Sequence, residues 1–288
     1  MRSLPFQKGL WSLGLVAILA AHPVHAAPAT RGAAPSARRA APDYARLFAG
    51  RDGCFELYDL TANKLIARYN PVHCAKRFSP ASTFKVPLSL MAFDEGLLKD
   101  EHSAMKWDGR KTRRPEWNRN QTAESWMRLS VVWFSQRLTP RLGLQRIKRH
   151  LAQFRYGNED FSGGITKAWL QSSLLISPDE QLRFWKAFWR EDLAVSKHAI
   201  AMTKKITYLG TSRAGWALNG KTGSSAEVSD KGKLLRGMGW FVGHVSRGRQ
   251  SYVFVTHYMD RATPRDTRPP GWIARDISTK ILGQMGLY

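Results

Sequence analysis

The sequence predicts an α+β fold: an antiparallel sheet built from both chain ends and flanked by helices, with an inserted helical lobe. Short β-like runs, CFELYDL and KLIARYN, occur near the beginning of the predicted domain. Apolar residues at helical spacing dominate residues 100–200, and strand-like patterns return from residue 206 onward. Strands at both ends with helices between them indicate one sheet to which both ends contribute.

The first 26 residues predict a signal peptide. Arg2 and Lys8 precede the apolar run LWSLGLVAILA, and the stretch VHA, which ends at Ala26, offers small residues for cleavage. This run is short for a membrane span, although a retained anchor is the alternative. Residues 27–42, rich in Ala, Pro and Arg, predict a disordered lead-in. We therefore expect a periplasmic protein with its domain at residues 43–288, in which residues 43–78 and 204–288 form a sheet lobe and residues 79–203 a helical lobe.

Local patterns predict the remaining elements. The turn TANK joins the first two strands into a hairpin. A helix is expected after residue 78, because Ser79 can cap it, Pro80 suits its first position and Gly96 lies near its end. Further helices are predicted in SWMRLSVVWFSQRL, LGLQRIKRHLAQF, SPDEQLRFWKAFWRED and IARDISTKILGQM. Three strands are predicted in GWALNGKTGSS, RGMGWFVGHVS and SYVFVTHYM, the last two joined by RGRQ.

A serine and a lysine three residues apart open the predicted helix at residue 79. Ser82 and Lys85 would share one helix face beside an apolar run. Burial there would lower the pKa of the lysine, so its neutral amine could activate the serine as a nucleophile. The alternative is an ordinary surface lysine beside a helix-start serine. A second Ser-x-x-Lys, at Ser103 and Lys106, lies in a polar stretch without this context.

Two cysteines suit an oxidising compartment. Folding the first hairpin brings Cys54 close to the level of Cys74, which makes a disulfide plausible. A pair of buried free thiols is the alternative.

The chain is strongly basic, with a net charge of +23. Basic clusters occur at residues 109–120, 141–150 and 261–270. No helix-turn-helix, zinc-finger or RNP-like pattern accompanies them, so we expect no nucleic-acid partner. The clusters are interpreted as solvated faces that steer anionic ligands or adhere to anionic envelope surfaces.

Several common catalytic motifs are missing from the sequence. The histidines show no H-E-x-x-H or other paired spacing, so no metal site is predicted. The stretch GTSRAG is one residue off the nucleophile-elbow pattern, and GMGWFVG is misspaced for a dinucleotide loop.

Three further short motifs follow Ser82 and Lys85 in a fixed order. SVV begins at Ser130, YGN spans Tyr156 to Asn158, and KTG begins a strand at Lys221. Each also has a purely structural alternative. The serine of SVV could be a hydrogen-bonded core residue, YGN could end a helix, and KTG could be a turn that leads into a strand. A cation and small residues at a strand edge can also hold a substrate carboxylate.

Taken in order, these motifs and the GWFVG strand resemble the class D, oxacillinase-type β-lactamases over about residues 45–288. The class A set has Ser-Asp-Asn where this chain has SVV, which favours class D. The resemblance implies the penicillin-binding and serine β-lactamase fold. It also implies a β-lactam substrate, hydrolysed through an acyl-enzyme.

The resemblance also implies roles for individual residues. Ser82 would be the acylated nucleophile, and Lys85, carboxylated by carbon dioxide, the general base. Ser130 would pass a proton to the leaving nitrogen. Lys221 is included in the catalytic set, although we expect it to act mainly through the substrate carboxylate. No other cofactor is expected.

The remaining implied residues bind substrate or surround the carbamate on the lysine. Substrate contacts are expected from Thr222, Gly223, Ser224 and Arg275, with Arg265 and Arg268 competing for the last role. The amides of Ser82 and Ser224 would form the oxyanion hole. Val132 would shield the carbamate, and the indole N–H of Trp169 would steady it. Tyr156 and Asn158 are expected just behind these groups.

Two alternatives to the hydrolase remain. A penicillin-binding peptidase or a β-lactam sensor domain would acylate without turnover. A non-catalytic cationic envelope-binding protein would account for the charge, although not for the ordered motifs. The sequence indicates neither the range of β-lactams nor the oligomeric state.

Overall fold

One antiparallel sheet joins the two ends of the domain. The computed structural model describes residues 41–229, 231, 234–264 and 266–288. Within them the main sheet has the strand order β2-β1-β8-β7-β6-β5. The first strand pairs with the last along its length, from Arg51 opposite Asp260 to Asp59 opposite Tyr252. The predicted fold class is therefore confirmed. Residues 1–26 and 27–40, predicted as signal peptide and lead-in, lie outside the described residues.

The predicted strands all form, and three short ones were not predicted. The main sheet comprises β1 Arg51–Asp59, β2 Lys64–Tyr69, β5 Tyr208–Thr211, β6 Ala217–Val228, β7 Leu234–Arg247 and β8 Gln250–Asp260. The unpredicted strands are β5 and a separate ribbon of β3 Ala104–Met105 and β4 Gln121–Thr122. The turn RGRQ joins β7 to β8, with Gly248 at a positive φ of 58°.

Helices cover both faces of the sheet and fill the middle of the chain. The α-helices are α1 Tyr44–Leu47, α2 Pro71–Cys74, α3 Lys85–Asp94, α4 Ala123–Leu129, α5 Val132–Leu142, α6 Leu144–Phe154, α7 Pro178–Arg190, α8 Lys197–Ile206 and α9 Pro270–Met285. Two 3-10 helices span Ala81–Phe84 and Pro115–Trp117. Among the described residues, no helix combines the length and apolarity needed to cross a membrane.

The last strand shows how the sheet separates two apolar cores. Along β8 side chains alternate between faces, so Val253 and Val255 join the core against the helical lobe. Phe254 points to the opposite core, which Ile277 and Ile281 of α9 cover.

Two predicted helix boundaries were wrong. The stretch SWMRLSVVWFSQRL is two helices, because Ser130 takes a left-handed conformation with φ 61° and ends α4. The helix expected after Ser79 begins with the 3-10 turn Ala81–Phe84 and becomes α-helical at Lys85. The first break falls at Ser130, and the 3-10 turn contains Ser82, so both irregularities lie at the predicted site, where backbone strain is commonly concentrated.

Candidate active site

Ser82 lies in a tightly held turn, residues 79–84, called here the nucleophile turn. Ala81, the residue before it, has a positive φ of 47°, which a non-glycine residue rarely adopts. Ser79 Oγ donates to the carbonyl of Trp169 at 2.8 Å and accepts from the amide of Gln171 at 2.9 Å. Ser82 itself is half-buried between buried neighbours. The turn therefore presents one hydroxyl to an open cleft.

Lys85 is buried directly behind that hydroxyl. Its side chain is 1% exposed, and its Nζ lies 3.3 Å from Ser82 Oγ. Burial holds the pKa of the Lys85 amine well below its usual range, and the positive charges of Lys221 and Arg114 lower it further. The neutral amine expected from the sequence is thus favoured here.

A second serine-lysine pair faces the same cleft. Lys221 Nζ donates to Ser130 Oγ at 2.9 Å and to the carbonyl of Thr222 at 2.8 Å. The left-handed end of α4 positions Ser130, and β6 positions Lys221. The prediction that KTG begins its strand was wrong, because β6 begins at Ala217 and Lys221 lies within it. Burial, followed by the charge of Arg114, lowers the Lys221 pKa to about 7.

The small residues of β6 let this strand approach the nucleophile turn. A Cβ on Gly223 would lie 3.0 Å from the carbonyl oxygen of Pro80 and 3.2 Å from Thr83 Cγ2. Ser224 Oγ accepts a hydrogen bond from the amide of Gly271, at the start of α9, at 2.9 Å. Both Thr222 and Ser224 line the cleft with Ser82.

An aromatic wall is built on Phe84, the residue before Lys85. The Trp169 ring stacks on Phe84 at 5.3 Å and on Phe161 at 6.0 Å between centroids. Trp169 Nε1 is buried without a hydrogen-bond partner among the described residues. Val132 lines the cleft itself.

Tyr156 and Asn158 lie behind this wall, away from the cleft lining. The hydroxyl of Tyr156 accepts from Gln181 Nε2, and its ring meets the edge of Phe84. Asn158 donates to the carbonyl of Ser173 and accepts from the amide of Leu175. Asn158 therefore ties down the segment that follows the wall.

Of the candidate carboxylate-binding arginines, Arg275 is the best placed. It lines a pocket adjoining the cleft, together with Lys221 and Thr222. Arg268 is instead paired with Asp266 and Asp276. Arg265 lies outside the described residues.

Sequence reasoning missed two arginines that line the cleft. The cavity of about 220 Å³ is bordered by Arg114 and Arg128 as well as by the predicted residues. Arg114 belongs to a basic cluster interpreted as a solvated face. Arg128 lies two residues before Ser130, and that proximity to a motif serine was the one available indication.

Two other sequence predictions have a clear outcome. Cys54 and Cys74 form a disulfide with Cα atoms 5.2 Å apart, as predicted. At the second Ser-x-x-Lys, Ser103 Oγ accepts hydrogen bonds from the backbone amides of Lys99 and Asp100, and the side chain of Lys106 is exposed. That copy is a turn with no buried amine.

Known proteins share both the sequence pattern and the fold. Residues 54–279 match the penicillin binding protein transpeptidase domain. The β-lactamase OXA-1 of Escherichia coli is 43% identical over 217 residues, which cover 73% of this chain and 77% of that protein. The structure of the class D β-lactamase BAT-2 superposes with a TM-score of 0.75 at 36% identity, covering 85% of this chain and 95% of that chain.

A receptor domain is also similar. The C-terminal domain of the Bacillus licheniformis BlaR penicillin-receptor gives a TM-score of 0.78 at 32% identity, covering 86% of this chain and 96% of that chain. The full regulatory protein BlaR1 is much longer, and the match covers 39% of it. The similarity to OXA-1 and BAT-2 extends over most of each protein, and this chain belongs to the class D serine β-lactamases.

Proposed function

We propose that the protein hydrolyses β-lactams through a covalent acyl-enzyme on Ser82. The observation that carries this proposal is that two serine-lysine pairs share one cleft, with Ser82 to Lys85 at 3.3 Å and Ser130 to Lys221 at 2.9 Å. One pair supplies a nucleophile with a base. The other supplies a hydroxyl that can relay a proton.

In acylation, Ser82 Oγ attacks the lactam carbonyl carbon while its proton passes to the base on Lys85. The carbonyl oxygen becomes negative and is stabilised by the amides of Ser82 and Ser224. The ring C–N bond then breaks, and Ser130 gives its proton to the nitrogen and receives in exchange the proton that the base took from Ser82. Lys221 and Thr222, with Arg275 nearby, hold the ring carboxylate. In deacylation the base takes a proton from water, whose oxygen attacks the ester carbonyl carbon. The base returns that proton to Ser82 Oγ as the ester C–O bond breaks, which frees Ser82 and the product.

The base in this scheme is the carbamate of Lys85. A neutral amine combines with carbon dioxide to give a carbamate anion and a proton, and burial of Lys85 favours that neutral amine. The surroundings suit the product, because the buried N–H of Trp169 has no partner of its own among the described residues. No metal or organic cofactor enters the proposal.

We also propose that the protein works in the periplasm after export. The buried disulfide between Cys54 and Cys74 supports an oxidising compartment.

A β-lactam sensor that stops at the acyl-enzyme is the second candidate, and the similarity to the BlaR receptor domain favours it over a peptidase. Hydrolysis is preferred because the enzyme relatives match over most of their length. The cationic envelope-binding alternative leaves the two contacting serine-lysine pairs unexplained.

Turnover of a chromogenic cephalosporin by purified protein tests the proposal. Multiple turnovers should be observed, and Ser82→Ala should reduce kcat by about 10⁴-fold or more. Ser103→Ala is the matched control, since it removes the serine of the other Ser-x-x-Lys and should retain activity. A single stoichiometric burst without further turnover would identify a sensor instead.

A further inference from the structure

Two guanidinium groups border the cleft without belonging to the proposed catalytic set. Arg114 comes just before the 3-10 helix Pro115–Trp117, and Arg128 lies in the last turn of α4. Both line the cavity into which Ser82 opens. They are therefore placed to meet a bound substrate.

Arg114 is held in position by its surroundings. Its amide donates to Thr112 Oγ1 at 3.3 Å, and that hydroxyl donates to its carbonyl at 3.0 Å. The guanidinium carbon lies 5.0 Å from the ring centroid of Trp117, whose Nε1 donates to the carbonyl of Leu129. The loop is thus fastened to α4, and Arg114 is a fixed part of the wall.

The charge of this wall is only partly balanced by the protein. In the described part of the chain, neither Arg114 nor Arg128 forms a salt bridge, although the exposed carboxylate of Glu116 also borders the cavity. The field of Arg114 reaches both buried amines, since it lowers the pKa of Lys85 and of Lys221. An anionic ligand group would relieve this excess of positive charge.

We propose that Arg114, assisted by Arg128, selects β-lactams that carry a second anionic group on the acyl side chain. This inference rests on the proposed function. Lys221 and Thr222 already serve the ring carboxylate that β-lactams share, so a further fixed cation favours a further anion. A guanidinium matches a carboxylate or sulfonate geometrically, because it can donate two parallel hydrogen bonds.

Three penicillins that differ in one substituent test the proposal. Benzylpenicillin carries hydrogen at the side-chain α-carbon, and its α-carboxy and α-amino derivatives carry an anion and a cation there. We compare kcat/KM for all three in the wild type, Arg114→Gln and Arg113→Gln. Arg113 is exposed, so its variant loses the same charge one residue away. Comparing each between-substrate ratio across the enzyme variants cancels the intrinsic reactivities of the substrates.

The ratio for the α-carboxy compound over benzylpenicillin should fall about tenfold in Arg114→Gln, as expected for one charge-assisted contact. The ratio for the α-amino compound should rise. Arg113→Gln should change neither ratio, and Arg128→Gln should reproduce the shift more weakly. In the wild type, added salt should also reduce the preference for the α-carboxy compound over benzylpenicillin, because salt screens the charge of Arg114.

Equal losses for all three substrates would overturn the proposal, because Arg114 would then serve the shared ring carboxylate or the structure of the site. Unchanged ratios, or the same shift in Arg113→Gln, would also overturn it. Failure of the proposed function is a separate result, namely no hydrolysis of benzylpenicillin by the wild type.

Discussion

Replacing Trp169 with Phe tests whether a carbamate on Lys85 depends on one buried N–H group. Trp169 is fully buried, and its Nε1 has no partner among the described residues. A phenyl ring can keep stacking on Phe84 and Phe161 while removing only the donor. The substitution therefore separates the hydrogen bond from most of the packing.

The expected magnitude follows from the charge of the acceptor. A hydrogen bond to a charged group contributes about 1.5–3 kcal/mol, and each 1.4 kcal/mol is about a factor of ten in affinity. Trp169→Phe should thus weaken carbon dioxide binding at Lys85 about 10- to 100-fold. The smaller ring also leaves a void, so some loss of thermal stability is expected.

The assay is the rate of β-lactam hydrolysis across a bicarbonate series. Trp169→Phe should be nearly inactive without added bicarbonate and should recover as bicarbonate rises, while the wild type responds little. Trp185→Phe is the matched control, because Trp185 is an equally buried indole whose Nε1 also has no partner in the described part of the chain. It should lower stability without creating bicarbonate dependence.

If Trp169→Phe hydrolysed β-lactams at the wild-type rate without added bicarbonate, this reasoning would be refuted. So would a folded but inactive variant that bicarbonate fails to rescue, since the tryptophan would then act on another step.

Three further predictions concern stability and geometry. Replacing Cys54 and Cys74 with Ala should lower the free energy of unfolding by about 3 kcal/mol, because the disulfide closes a loop with a sequence separation of 20 residues. Denaturant titration measures this loss. Reductant should destabilise the wild type but leave the free energy of unfolding of the double variant unchanged. Burial lowers the pKa of both His73, to about 4, and His257, below the value of 6.5 expected when unfolded. Burial also lowers the pKa of His244, to about 3, whereas it raises the pKa of Glu56, to about 9, which acts in the opposite direction. Because the three histidines outweigh this carboxyl, the unfolded state binds more protons, and Tm should drop by several degrees as pH falls from 7 toward 4; a Tm constant over this range would contradict it. Gly223→Ala would place a Cβ 3.0 Å from the carbonyl oxygen of Pro80 in the nucleophile turn and so shift that turn. We expect kcat to fall roughly tenfold or more with little change in Tm. An unchanged kcat would show that the turn can accommodate the methyl group.

The sheet could be predicted because its pattern is local. Alternating apolar residues and the turns TANK and RGRQ indicate hairpins without knowledge of distant contacts. The left-handed conformation of Ser130 could not be predicted, since a serine in an apolar run is equally compatible with a continuous helix. The break places Ser130 against Lys221, a contact between residues 91 positions apart that only the fold brings together.

The role of the basic clusters depended on the fold in the same way. Arg113 and Arg114 are adjacent residues of the same type, and nothing in the sequence distinguishes them. In the structure Arg113 is exposed, whereas Arg114 borders the cleft. The difference arises from the 3-10 turn that follows Arg114 and from the Trp117 indole bond to α4. Charge composition alone could indicate only an attraction for anions.

The two buried lysines of the site should differ in chemistry because their hydrogen-bond partners differ. Lys221 donates to Ser130 Oγ and to the carbonyl of Thr222, and such acceptors favour a protonated amine. Lys85 has one hydroxyl partner, at 3.3 Å, and Trp169 of the adjoining wall offers a donor that favours an anion. Carbon NMR with labelled bicarbonate should therefore show one carbamate signal, kept in Lys221→Ala and lost in Lys85→Ala. A second signal, or one that disappears with Lys221, would show that Lys221 is carboxylated and that the hydrogen-bond partners do not distinguish the two lysines.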